Sequence, residues 1–175
     1  MRKLAMALAL LAPMLVAWGA NAATVNIVAL GASNTAGRGQ GTHPGGVDKN
    51  QAYPAQLEAL LKAKGYDARV ANAGIAGDTT GGMLARLDSA VPAGTQIVIL
   101  QTGGNDERKG VGGEAGGNVA QITSKLQARG IKVILMDRLV APASTRDPDG
   151  QHFNAEGHKV FAAGLLPKVI AAIGK

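Results

Sequence analysis

A chain of 175 residues can bury a sizeable core without disulfides or a structural metal, and this one contains no cysteine. The lack of cysteine excludes a disulfide scaffold, a thiolate zinc site and a cysteine nucleophile. The net charge of +6 comes from scattered basic residues, which we interpret as solvated surface charge. With only two Phe, two Tyr and one Trp, the chain offers no platform for stacking bases, so a nucleic-acid partner is not expected.

The first 22 residues have the pattern of an export signal. A start with two basic residues precedes an apolar run over residues 4–16, and the small-residue motif Ala-Asn-Ala ends at Ala22. The run is too short to span a bilayer comfortably, although a buried or anchoring helix is the alternative. Cleavage after Ala22 predicts a periplasmic or secreted protein without an integral membrane span, in which residues 23–175 form a single domain.

After residue 22, apolar runs alternate with amphipathic stretches. In chain order, the pattern predicts a strand at 25–30, a helix at 53–64, a strand at 67–71 and a helix at 79–90 whose N-cap is Asp78. It then predicts a strand at 96–101, a helix at 116–129, a strand at 132–136 and a terminal helix capped by Asn154, which Pro167 should kink or split. Strands that alternate with helices predict a parallel sheet covered on both faces.

Four polar motifs lie just after the predicted strands or in the last long loop. They are Gly31–Gly37 with Ser33, the Gly-rich turn with Gly77, the Gly-Gly-Asn-Asp segment with Asn105, and the loop with Asp149 and His152. In open α/β sheets, ligands bind beyond the carboxyl ends of the strands. The order of these motifs therefore predicts one site at that edge of the sheet.

Ser33 has two interpretations from its own motif. A serine in a glycine-flanked loop after a strand is either a nucleophile or the cap of a following helix. The motif is not the G-x-S-x-G elbow, because Thr35 occupies the place of the second glycine. A phosphate-binding loop is disfavoured, because the segment contains neither G-K-[ST] nor G-x-G-x-x-G. Asn105 and Gly77 are likewise either oxyanion donors or turn residues.

The chain has three histidines, and one of them has a carboxylate three residues before it. Asp149 can fold back onto one ring nitrogen of His152 and leave the other free to take a proton. We interpret His158, inside the terminal helix, as a surface residue or as structurally satisfied, and His43 as a solvated loop residue. No cluster of histidine and acidic residues has the spacing of metal ligands, so neither a metal nor a cofactor is expected.

In these four motifs the chain resembles the SGNH hydrolases, also called the GDSL esterase/lipase family, and most closely their small exported thioesterase I/lysophospholipase L1/arylesterase branch. The resemblance implies a three-layer α/β/α sandwich with a flavodoxin-like, mostly parallel sheet of about five strands. It also implies a catalytic set of Ser33, Asp149 and His152, with an oxyanion hole formed by Ser33, Gly77 and Asn105. One departure is Ala32, which stands where the family pattern Gly-Asp-Ser has Asp.

The resemblance implies an exported serine ester hydrolase that acts on small-molecule esters or lipids. Short-chain and aryl esters come first as substrates, and lysophospholipids and acyl thioesters stay open. The alternatives are a carbohydrate O-acetyl esterase of the same fold, a non-catalytic envelope binding protein that uses the same groove, and an acyltransferase. A monomer or a weak oligomer is expected.

Overall fold

The computed structural model describes residues 23–38, 46–102, 104–136 and 142–174. Within them, four strands form one parallel sheet in the order β2-β1-β3-β4. The strands are β1 (Val25–Gly31), β2 (Ala68–Gly74), β3 (Ile97–Gln101) and β4 (Lys132–Leu135). All four strands predicted from the pattern are present, and the described sheet has four strands where the resemblance implied about five. The predicted export signal, His43 and Gly103 lie outside the described residues.

Helices cover both faces of this sheet. The longer ones are α2 (Tyr53–Ala63), α6 (Gly112–Ala128) and α7 (Ala155–Ile173), and the short ones are α1 (Ser33–Ala36), α3 (Thr80–Ala85), α4 (Leu87–Ala90) and α5 (Asn105–Arg108). A single 3₁₀ turn, Ala143–Thr145, is described before α7. This arrangement is the predicted α/β/α sandwich.

Each face of the sheet has its own apolar core. Because successive side chains of a strand point to opposite faces, Ile27 and Ala29 of β1 pack with α2 and α7, while Val28 and Leu30 pack with α3, α4 and α6. Strands buried on both faces explain why β1 and β3 are nearly continuous apolar runs in the sequence.

The strand order creates the crevice that holds the site. The chain runs from β1 to β2 on one side and then returns to β3 on the other side of β1. Loops from neighbouring strands therefore diverge at the carboxyl ends of β1 and β3, which is where open α/β sheets bind ligands. Ser33 follows β1, and Asn105 follows β3.

Three details of the helices differ from the prediction. The stretch 79–90 forms two short helices that meet at Arg86, and the N-cap of the first is Thr79, whose side chain accepts a hydrogen bond from the Gly82 amide. Helix α6 begins at Gly112, four residues earlier than predicted. Helix α7 continues through Pro167 without splitting. No helix in the described ranges is long and apolar enough to cross a membrane.

Candidate active site

The side chains of Ser33, His152 and Asp149 form one hydrogen-bonded chain. Oγ of Ser33 lies 2.9 Å from Nε2 of His152, and Nδ1 of His152 lies 2.7 Å from Oδ2 of Asp149. Ser33 opens α1 directly after β1, whereas Asp149 and His152 lie in the loop that precedes α7. Two residues 119 positions apart in the sequence are thus brought within hydrogen-bond distance.

Asp149 determines which nitrogen of His152 carries the proton. A carboxylate oxygen can only accept, so Nδ1 donates to it and Nε2 is left to accept the Ser33 hydroxyl proton. Oδ1 of Asp149 also accepts from the backbone amides of Gln151 and His152, at 3.0 and 3.1 Å. Burial raises the pKa of the Asp149 carboxyl, but the hydrogen bonds from His152 and Gln151 outweigh it and hold that pKa well below its ordinary value.

A buried residue of β3 supports the turn that carries Ser33. Oε1 of Gln101 accepts hydrogen bonds from the Ala32 amide at 3.1 Å and from the Thr35 hydroxyl at 3.0 Å. The Ala32 side chain is buried in the apolar core, so this position contributes no charge to the site. The interpretation of Ser33 as a helix cap is wrong, because Ala32 occupies the N-cap and the Ser33 hydroxyl binds His152.

The carboxamide of Asn105 has a fixed orientation. Asn105 is buried at the start of α5; its Nδ2 donates to the carbonyl of Asp78 at 2.7 Å, and its Oδ1 accepts from Nη2 of Arg108. An amide nitrogen carries two hydrogens, and the bond to Asp78 uses one of them. The second N–H has no hydrogen-bond partner among the described residues.

Gly77 lies in the turn after β2, next to Asp78. Its φ of +77° is in the left-handed region that favours glycine, and apart from its chain neighbours no described residue lies within 4 Å of the place where a Cβ would sit. Its carbonyl accepts a hydrogen bond from Nζ of Lys109 at 2.8 Å. The turn is therefore fixed by the residue after α5 and faces open space.

Two arginines connect the segments that carry the candidate site residues. Nη1 of Arg108 donates to Oε1 of Gln151 at 2.8 Å, which connects α5 to the loop of His152. Arg86 donates from Nε to Asp78 at 2.8 Å and from Nη2 to the Gly31 carbonyl at 3.2 Å, which connects the Gly77 turn to the end of β1. Our interpretation as solvated surface charge is wrong for Arg86, whose side chain is only 19% exposed, whereas Arg108 is exposed and also bonds Gln151.

The residue after Ser33 also binds the histidine loop, a role that the sequence analysis missed. Oδ1 of Asn34 accepts from the Phe153 amide at 3.0 Å, and Nδ2 donates to the Gln151 carbonyl at 3.5 Å. The only signal in the sequence was its place beside Ser33.

The second described histidine lies apart from this chain. His158 is buried; its Nδ1 accepts a hydrogen bond from the Tyr53 amide at 3.2 Å, and its Nε2 has no hydrogen-bond partner among the described residues. Burial lowers the pKa of His158 to about 4, against the opposing effect of Asp147. The surface alternative for His158 is therefore wrong. In the described part of the chain, no group of three or more His, Asp and Glu side chains could hold a metal ion.

Comparisons with known proteins identify the family of the chain. A family model described as the GDSL-like lipase/acylhydrolase family matches residues 29–154. The chain is 38% identical over 102 residues to the esterase TesA of Pseudomonas aeruginosa, and 32% identical over 94 residues to an arylesterase of Vibrio mimicus. These matches cover 55% and 53% of this chain but 49% and 47% of the relatives. The chain thus spans about half the length of the curated relatives it matches.

Solved structures show the same fold. The esterase EstA from Pseudoalteromonas sp. superposes with a TM-score of 0.71 at 17% identity, over 86% of this chain and 99% of that one, which is a likeness of fold alone. AlinE4, an esterase of the SGNH-hydrolase family, is 32% identical, with a TM-score of 0.57 over 83% of this chain and 71% of that one. With its family match over residues 29–154 and its serine, glycine and asparagine motifs at successive strand ends, this chain belongs to the GDSL-like lipase/acylhydrolase family.

Proposed function

We propose that this chain is an exported serine ester hydrolase that cleaves carboxylic esters through an acyl-enzyme on Ser33. The observation that carries the proposal is the continuous hydrogen-bonded chain from Ser33 through His152 to Asp149, with links of 2.9 and 2.7 Å. A serine hydroxyl is a weak nucleophile on its own, and an adjacent base oriented by a carboxylate activates it. The esterase names of the relatives support the same reaction class.

In the first half-reaction, Oγ of Ser33 attacks the ester carbonyl while Nε2 of His152 takes the hydroxyl proton. Asp149 keeps the imidazole in the required tautomer and stabilises the imidazolium that forms. Collapse of the tetrahedral intermediate breaks the bond to the alcohol, and His152 returns its proton to the departing oxygen. The acyl group is then covalently bound to Ser33.

The negative charge of the tetrahedral intermediate needs hydrogen-bond donors that are already in place. We assign this role to the backbone amides of Ser33 and Gly77 and to the side chain of Asn105. The free N–H of Asn105 and the open space at Gly77 support the assignment. The first amides of a helix also lack intrahelical partners, which suits Ser33 at the start of α1.

In the second half-reaction, His152 removes a proton from a water molecule that attacks the acyl carbonyl. The same donors hold the second oxyanion, and the acid leaves as His152 returns the proton to Ser33. The step needs no cofactor, because water supplies both the oxygen and the proton.

Small acyl and aryl esters are the substrates that we favour. The small number of aromatic residues offers little surface for a long acyl chain, and one relative is named an arylesterase. Lysophospholipids and acyl thioesters share the same reacting carbonyl and belong in the same panel.

Export is part of the proposal, supported by the basic start, the apolar run and the small-residue motif of the first 22 residues. Intact mass of the protein recovered outside the cytoplasm should correspond to a chain that begins at Ala23. A full-length mass would contradict cleavage after Ala22.

Replacement of the proposed nucleophile tests the function directly. We expect Ser33→Ala to lower kcat for a p-nitrophenyl ester by about 10⁴- to 10⁶-fold, the usual cost of losing a nucleophilic serine. A fluorophosphonate probe should label the wild type and Ser89→Ala but not Ser33→Ala. Ser89 is a suitable control because it is exposed on α4 and its hydroxyl donates to the nearby Arg86 carbonyl.

Two outcomes would contradict the proposal. Full turnover by Ser33→Ala would exclude an acyl-enzyme at this residue. A wild type that neither reacts with the probe nor hydrolyses any p-nitrophenyl ester, acyl-CoA, lysophospholipid or acetyl-xylan would instead favour a non-catalytic binding protein.

A further inference from the structure

Arg38, just after α1, binds two carboxylates of the histidine loop at once. Its Nη1 donates to Oδ2 of Asp147 at 2.9 Å, and its Nη2 forms an ion pair with Oδ2 of Asp149 at 3.0 Å. The side chains of Arg38 and Asp147 are only 16% and 15% exposed, so this pair is better shielded from solvent than a surface salt bridge. The planar fork of a guanidinium suits such a bridge.

The Asp149 carboxylate is held by three hydrogen bonds and one ion pair. Oδ1 accepts the amides of Gln151 and His152, while Oδ2 bonds Nδ1 of His152 and lies 3.0 Å from Nη2 of Arg38. Contacts on both oxygens restrict rotation of the group. Without Arg38, Oδ2 would be held from one side only, and the carboxylate could rotate away from His152.

Arg38 also separates two like charges. Asp147 and Asp149 both lie within 3.0 Å of the same guanidinium. Two carboxylates this close to each other repel, and the repulsion is strong where the side chains are partly shielded from water. Without the guanidinium, that repulsion would act on the loop that positions His152.

The backbone of Arg38 is held in an uncommon conformation. Its φ is +32°, a left-handed value that non-glycine residues rarely adopt, and its amide donates to the Ser33 carbonyl at 2.7 Å. The Arg38 carbonyl faces Gly46 so closely that a Cβ on Gly46 would lie 1.7 Å from the oxygen. Such strain persists where surrounding contacts enforce it, and it clusters at functional sites.

We propose that Arg38 is a positioning residue that orients Asp149 and, through it, the imidazole of His152. The proposal rests on the proposed hydrolase function, since it assigns to Arg38 the upkeep of the Ser33–His152–Asp149 chain. It also gives Asp147 a role, as the second anchor of the guanidinium.

Replacement of Arg38 by an apolar residue of similar length provides the test. Arg38→Met should lower kcat about 10- to 100-fold with KM within twofold of wild type, a loss like that seen when partners that orient metal-bound histidines are removed. In proton NMR, the low-field resonance of the hydrogen-bonded Nδ1–H of His152 should weaken or move upfield. Arg38→Lys should restore part of kcat, because a lysine supplies charge but not the fork.

Arg129→Met is the matched control. Arg129 is also partly shielded, at 31% exposure, and bonds the Val91 carbonyl, but it follows α6 at the opposite end of the sheet. Its removal should leave both kcat and the low-field resonance unchanged. All assays are run well below the melting temperature of each variant, so that loss of fold is not mistaken for loss of position.

Asp147→Asn provides a second variant in case Arg38→Met does not fold. It keeps the shape of the side chain while it weakens one arm of the bridge, and we expect a smaller fall in kcat with the same NMR change. A kcat within twofold of wild type and an unchanged resonance, in whichever variant folds, would overturn the positioning role, as would a defect confined to KM. The NMR readout needs no substrate, so an inactive wild type would count against the hydrolase and not against Arg38.

Discussion

At the scale of single residues, Asn105 illustrates how a neutral side chain is prepared for a charged intermediate. Arg108 binds its oxygen and the Asp78 carbonyl binds its nitrogen, so the amide cannot turn over. A cation on the oxygen also polarises the amide and strengthens its N–H as a donor. The contribution of Asn105 should therefore appear in the transition state more than in substrate binding.

We predict that Asn105→Ala lowers kcat/KM by about 10²- to 10³-fold, the typical cost of one oxyanion donor. The loss should fall on kcat, because the ester carbonyl of the bound substrate carries less charge than the intermediate. Steady-state assay of a p-nitrophenyl ester measures it. Asn118→Ala is the control, since that carboxamide lies on α6 and bonds the Thr80 hydroxyl of α3. Equal rates for Asn105→Ala and wild type would remove Asn105 from the mechanism.

The sequence predicted the residues of this site better than it predicted their supports. Ser33 and Asn105 stand out because each follows an apolar run and a glycine-containing turn, and His152 stands out because Asp149 lies three residues before it. Arg38 and Arg108 do not stand out. A single arginine in a sequence looks the same whether its side chain is solvated or bridges two loops. Only the three-dimensional pairing of distant segments distinguishes the two cases.

At the scale of secondary-structure elements, α3 is a short helix that depends on its cap. It spans six residues, two of them glycines, so its intrinsic propensity is low. Thr79 satisfies one of its free amides through Gly82, whereas Asp78 binds Arg86 and the Thr79 amide. The sequence could not show which of two adjacent capping residues would be taken by an ion pair.

We predict that Thr79→Ala lowers the free energy of unfolding by about 1 kcal/mol, the usual cost of losing an N-cap side chain. Thr79→Ser keeps the hydroxyl oxygen and should stay close to wild type. Urea denaturation followed by circular dichroism measures both variants. If Thr79→Ala and Thr79→Ser have the same free energy of unfolding, the hydrogen bond from the Gly82 amide contributes nothing to stability.

The sequence predicted β1 and β3 readily, because strands buried on both faces appear as nearly continuous apolar runs. It placed the start of α6 too late, because Gly112, Gly113, Gly116 and Gly117 weaken the helical signal of the first turns. Contacts of α6 with α3 and α5 decide that boundary, and these contacts are invisible in a local window.

At the scale of the whole molecule, His158 sits where α7 meets α2. Its ring packs edge-on to Phe153 at 5.8 Å between centroids and accepts the Tyr53 amide at the start of α2. Protonation of the ring would convert Nδ1, which accepts the Tyr53 amide, into a donor at a buried position. The packing of α7 against α2 is therefore most stable when His158 is neutral.

This burial predicts a pH-dependent stability. Because burial lowers the pKa of His158 from 6.5 to about 4, the unfolded chain binds a proton first as the pH falls. The stabilisation is present above pH 6.5 and is lost between pH 6.5 and 4, which amounts to about 2–3 kcal/mol between pH 7 and 4.5.

His158→Gln is the variant that isolates this effect, because glutamine can still accept the Tyr53 amide through its side-chain oxygen. Chemical denaturation at pH 7 and at pH 4.5 should show a smaller difference for His158→Gln than for wild type. Identical differences would mean that other groups cause the acid sensitivity.

The order of the site residues along the chain has a consequence for the timing of biosynthesis. Ser33 and Asn105 are made early, but His152 comes after all the described strands and two residues before Asn154, which caps α7. While the chain is still being made, the imidazole has no docked helix to hold it near the serine. Under the proposed mechanism, acyl transfer can begin only when the last helix has docked, so the nascent protein is inert toward the esters of the cell that produces it.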